Sequence, residues 1–214
     1  MCNPKRLALA LVATFAIGAI TTSVASANQL HSTATNTTIT VWSNFTQEFE
    51  LEPVGHIVTC QGVGGSAQIS AQTVTEVTFK PTYSGCTFTG VFFSTAQVSM
   101  GSCSYLFKIN ALSNLGPVHL KCSKNESITI TVKVFGTSVC TLHIAEQTPE
   151  NIATYGNSGS TAVYVSPTLT GIDSTRQGSS ECGSASSTTG SYNGEVQVKG
   201  EETGTLKEKA IQVG

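Results

Sequence analysis

The chain is 214 residues long and carries 11 Lys plus Arg against 13 Asp plus Glu, a formal charge of −2 at pH 7. Charged residues make up only 11% and form no basic stripe, which argues against nucleic acid, and against an electrostatic grip on anionic membrane.

The N-terminus has three parts. Lys5 and Arg6 supply positive charge, an apolar run follows from Leu7 to about Ile20, and Ala25-Ser26-Ala27 is a small-x-small exit. This is the pattern of a secretory signal peptide over residues 1–27. The run is also short of the roughly 20 apolar residues that a membrane span needs. Retention as an N-terminal anchor is the alternative. Cleavage after Ala27 leaves a net charge of −4, no further long apolar run and a secreted or extracytoplasmic protein.

Six cysteines lie beyond that point: Cys60, Cys86, Cys103, Cys122, Cys140 and Cys182. An even number in an exported chain predicts a disulfide framework. Zinc knuckles use closely spaced pairs, and no two of these cysteines are that close. Six cysteines allow 15 connectivities. The expected one is Cys86 with Cys103, Cys122 with Cys140, and Cys60 with Cys182. The first two would close short loops across adjacent strands, and the third would tie the start of the domain to its end.

Taken in order, residues 28–38 are polar and read as a flexible lead-in. A single domain is expected over 39–214. In QEFELE, Glu48, Glu50 and Glu52 alternate with Phe49 and Leu51, as in a half-buried strand. QGVGGSA is a glycine-rich turn without the lysine of a phosphate loop. From residue 103 onward the period of two recurs: Cys103, Tyr105, Phe107 and Ile109; Val118, Leu120 and Cys122; Ile128, Ile130, Val132 and Val134; Cys140, Leu142 and Ile144. Each cysteine keeps company with the apolar set, as buried inter-strand bridges require. Phe135-Gly136-Thr137 predicts a hairpin connection over 127–145. Residues 173–191, rich in Ser, Gly and Thr, read as a long loop holding Cys182. About ten to twelve short strands are expected in an all-β, disulfide-stapled β-sandwich, with a β-barrel as the alternative.

Several short segments carry a resemblance. They are VTC at 58–60, PTYSGC at 81–86, GSCSY at 101–105, Cys122, ITV at 130–132, Cys140, Gln147, Tyr155, TLTGI at 168–172, Cys182 and SYNGEVQV at 191–198. In this order the chain resembles a family of uncharacterised secreted bacterial proteins of actinobacterial type. The resemblance implies an extracytoplasmic, cysteine-paired β-domain and brings no catalytic residues with it.

No reactive set stands out. The exported part holds a single aspartate, Asp173, and lacks G-x-S-x-G, H-E-x-x-H and the calcium-loop pattern. Neither a catalytic residue nor a cofactor is assigned. His119 and His143 lie opposite the apolar face of their strands; if those strands were neighbours, the imidazoles would share a surface able to bind a metal or titrate. Phe92-Phe93 is the other surface candidate, because adjacent strand residues face opposite ways and one ring is exposed unless both faces are covered. The leading expectation is a non-catalytic secreted or cell-surface β-domain, structural or adhesive, with a cell-surface glycan or protein as partner. The alternatives are an extracellular carbohydrate- or peptide-binding module and a secreted hydrolase.

Overall fold

The computed structural model of the chain describes residues 29–43, 45–51, 55–110, 114–148, 152–204 and 207–214. The proposed signal peptide lies outside them. Eighteen strands and no α-helix are found among the described residues. The chain opens with β1 (Leu30–Ser32), β2 (Thr37–Trp42), β3 (Gln47–Glu50), β4 (Ile57–Ile69), β5 (Thr73–Val74) and β6 (Glu76–Phe79). It continues with β7 (Thr82–Thr89), β8 (Ser94–Ser99), β9 (Ser104–Lys108), β10 (Leu115–Lys121), β11 (Ser127–Val134) and β12 (Thr137–Ala145). The remainder is β13 (Ile152–Ser158), β14 (Ala162–Gly178), a 3-10 turn at Ser180–Cys182, β15 (Ser186–Asn193), β16 (Val196–Glu202), β17 (Glu208–Lys209) and β18 (Ile211–Val213). The count exceeds the expected ten to twelve because short segments pair at the margins and a supposed loop is strand.

The alternation in the sequence is what drives these strands. In β11, Ile128, Ile130 and Val132 are buried while Thr129 and Thr131 are half-buried. A register shift between Val132 and Lys133 then breaks the period, so Val134 leaves the core face it was expected to share. β12 does the same with Cys140, Leu142 and Ile144.

All the pairings are antiparallel, and the ladder returns on itself. Starting from β3, hydrogen-bonded neighbours run β4, β7, β8, β11, β12, β14, β15 and back to β3. The other end of β4 pairs with β2, followed by β16, the first part of β14, β13, β10, β9 and β6. The long strands β4 and β14 therefore belong to both parts, and one hydrophobic cluster runs through them. The result is an all-β, disulfide-stapled fold consistent with the β-sandwich that the sequence predicts. The eight strands of the first circuit close their ladder, which removes their free edges, and β6 and β17 remain as the edges of the second part.

Two expectations are corrected by long-range pairing. The lead-in is no free tail: Leu30–Ser32 pairs with Ile211–Val213 and with Thr73–Val74, and Leu30, Ile211 and Val213 are buried. Its partner lies at the far end of the chain, where local composition gives no hint of it. Residues 173–191 likewise form the end of β14, the 3-10 turn and most of β15, with register shifts around Ile172 accommodating the small residues.

The disulfide connectivity is also corrected. All six cysteines are bonded, as Cys60–Cys86, Cys103–Cys122 and Cys140–Cys182. Cys60 and Cys86 face each other directly in the β4–β7 ladder, with Cα atoms 3.9 Å apart. Cys86 cannot reach Cys103, because β7 has β4 and β8 as neighbours while Cys103 precedes β9, which pairs with β6 and β10. Cys182 pins the 3-10 turn to β12.

Candidate functional site

The two hairpins β7–β8 and β11–β12 lie side by side, and their turns form one apex. β8 pairs with β11 up to Ser94 opposite Val134, the last residues before the turns. The first turn is Gly90-Val91-Phe92-Phe93. Ser94 holds it closed: its hydroxyl shares its one proton between the carbonyl oxygens of Phe88 at 2.7 Å and Val91 at 2.8 Å. The second turn is Phe135-Gly136 between Val134 and Thr137, a two-residue loop with φ of 48° and 84°. Positive φ at both positions is the primed turn that suits hairpin twist, and Asn-Gly is its favoured sequence.

Phenylalanine is an unfavourable choice there. Phe93 (φ 55°) and Phe135 both occupy the left-handed region, which disfavours bulky side chains. Both rings nevertheless point outward. Phe92 is 90% exposed, Phe93 81% and Phe135 85%. Phe93 and Phe135 stack with centroids 6.0 Å apart. The sequence singles out Phe92-Phe93 as adjacent strand residues with one ring exposed; both rings are exposed, since the pair sits on a turn and not within a strand. Phe135 completes the cluster and was legible only as a turn residue.

Below the apex the surface turns polar. Thr95, Gln97, Lys133 and Thr137 follow the rings on β8, β11 and β12, and the Lys133 ammonium donates to Gln97 Oε1 at 3.0 Å. Residues 82–99 and 127–145 contain no Asp or Glu; Lys133 is their one lysine.

The other candidates are dispersed. His119 lies on β10, between β9 and β13, whereas His143 lies on β12, between β11 and β14. Their strands share no ladder, so the condition for a common surface is not met. Partial burial lowers the His119 pKa, helped by Lys108 and Lys121. His143 Nδ1 is 3.2 Å from Ser127 Oγ, and its buried Nε2 has no hydrogen-bond partner among the described residues. Asp173 is exposed, its backbone N–H donating to Gln147 Oε1. Glu146 accepts from the Cys122 backbone N–H and pairs with Lys121 at 3.3 Å; the first contact mainly lowers its pKa. Among the described residues no group of three or more His, Cys, Asp or Glu side chains could hold a metal ion.

Inside the fold, sequence reasoning missed a polar cluster. Gln47 is fully buried; Tyr192 donates to its Oε1 at 2.6 Å, and its amide N–H groups are shared among Ser43 Oγ, Phe45 O and Glu195 O. Gln47 lies on the same side of β3 as Phe49, so the alternation already places it inward. Beside this cluster, Tyr83 and Tyr105 border a cavity of about 70 Å³ whose remaining walls are almost wholly apolar, among them Val41, Val163 and Val198.

No family model matches the sequence, and neither curated proteins nor solved structures provide a match.

Proposed function

We propose that this chain is a non-catalytic extracytoplasmic β-module that adheres to a surface through the Phe92, Phe93 and Phe135 apex. The carrying observation is the combination of exposure and strain. Three rings project into solvent, and two of them occupy backbone conformations that cost of order 1–3 kcal/mol each for a residue such as Phe. Asparagine or glycine would relieve that cost without disturbing a packed core. A cluster of exposed aromatics at such a cost is the kind of feature that marks a contact surface.

The rest of the chain supports this role. Three disulfides suit an oxidising environment outside the cytoplasm, and the N-terminal pattern suits export. A closed, stapled scaffold presents the two hairpins rigidly. The test is retention on the cells that export the protein. Wild type should partition to the cell surface, and the F92S/F93N/F135N variant should pass into the medium. Equal retention of the two would refute the proposal.

A further inference from the structure

The geometry points to a phospholipid surface as the partner, with the three phenylalanines inserting at the level of the headgroups; this rests on the adhesive reading above. Shape is the first argument. The rings crown two adjacent turns and are 81–90% exposed, so they form a projection and not a groove. A projection needs a partner that conforms to it, and a fluid interface does so. Phenylalanine, with no polar tip, gains by burying its whole ring at the headgroup–acyl boundary, as on the apolar face of interfacial elements, while the turn backbone behind stays wet.

Area is the second argument. Three phenylalanines present on the order of 450–750 Å² in total, below the ~800 Å² per partner of a stable protein interface. Chemistry is the third. At the tip itself, Val91-Phe92-Phe93 and Phe135-Gly136 supply no polar side chain, and the nearest hydrogen-bonding groups, Thr95, Gln97, Lys133 and Thr137, stand behind the rings at the depth where lipid headgroups would lie. Charge is the last. The two hairpins carry no carboxylate to be repelled by lipid phosphate, and Lys133 stands just behind the rings, among hydroxyl and amide side chains. The lack of a basic stripe weighs against electrostatic attraction to a membrane, but insertion of apolar rings does not depend on one.

The experiment uses the exported protein, recovered from the medium of an expressing host with its N-terminus determined, and extruded vesicles of phosphatidylcholine. Wild type and F92S/F93N/F135N are co-sedimented with the vesicles at about 50 mM and about 500 mM salt. Wild type should bind, with a partition coefficient that changes less than about twofold with salt. The variant should bind at least about tenfold more weakly, with an unchanged or higher melting temperature. Phe92→Ser alone, at the most exposed ring, should give an intermediate loss and serves if the triple variant fails to fold. Absence of vesicle binding, binding abolished by salt, or equal binding by wild type and variants would overturn the inference. If vesicles are not bound while retention on cells still depends on the three rings, the lipid partner is wrong and the adhesive reading stands. If retention is also independent of them, both fail.

Discussion

Phe93 and Phe135 meet across two different hairpins, rings 6.0 Å apart, each held at a positive φ. The pair is exposed, so it contributes little to the core, and its backbone conformations oppose folding. Phe135→Asn converts the turn to Asn-Gly, the favoured pair for this loop. The substitution should raise the unfolding free energy by about 1 kcal/mol, measured by urea denaturation. A clear loss of stability would mean that the Phe135 ring supports the fold, contrary to its exposure.

The bonds Cys60–Cys86, Cys103–Cys122 and Cys140–Cys182 span sequence separations of 26, 19 and 42 residues. In the chain-entropy model the longest loop gains most, about 4 kcal/mol against about 3–3.5 for the others. Replacing both cysteines of Cys140–Cys182 by serine should therefore cost the most stability and also release the 3-10 turn. Unfolding curves of the three double variants check the order. Peptide mapping without reduction should recover these three pairs and no others.

How much of this was legible in advance depends on the range of the contacts. The period of two placed Cys103, Tyr105, Leu120, Ile130, Cys140 and Leu142 on the buried face correctly, because a strand's facing is set residue by residue. Connectivity was not legible, since the Cys60–Cys86 bond depends on β4 lying beside β7, which neither segment encodes alone. Leu30 pairs with Val213 across nearly the whole chain, which local polarity disguised as a free tail. At the apex, Phe92-Phe93 was visible as an anomaly in the sequence. Phe135 joined it only when pairing of β8 with β11 brought the two turns together.

Gln47 should be one of the costliest single positions. Replacement by Leu leaves the Tyr192 hydroxyl and the carbonyl oxygens of Phe45 and Glu195 without this partner. The expected loss is about 2–4 kcal/mol. Tyr192→Phe removes a single contact and should cost about 1–2 kcal/mol. Equilibrium unfolding of the two variants and of their combination would show the coupling between them.

Alkaline solution should unfold the protein through its buried tyrosines. Burial holds Tyr83, Tyr155 and Tyr192 well above the ordinary value of 10.0 and pushes Tyr105 up to about 12. Tyr105 and Tyr192 beside Tyr83 add to its shift. Above pH 10 the unfolded chain loses phenolic protons that the folded chain keeps, so stability is intact below that pH and falls as pH rises. Each such tyrosine adds up to about 1.4 kcal/mol per pH unit to the slope. In a Tyr164→Phe background, which leaves only these four tyrosines, phenolate absorbance and circular dichroism should change in one cooperative step; phenolate appearing before the strand signal falls would contradict the buried placement.

The central claim is that the working part of the molecule is the aromatic apex and that the stapled strands exist to hold it out. Quantitative retention on the exporting cells, measured for wild type and F92S/F93N/F135N beside their melting temperatures, tests it most directly. The account requires the variant to melt no lower than wild type and yet to be released from the cell surface. A variant that is equally stable and equally retained would contradict it.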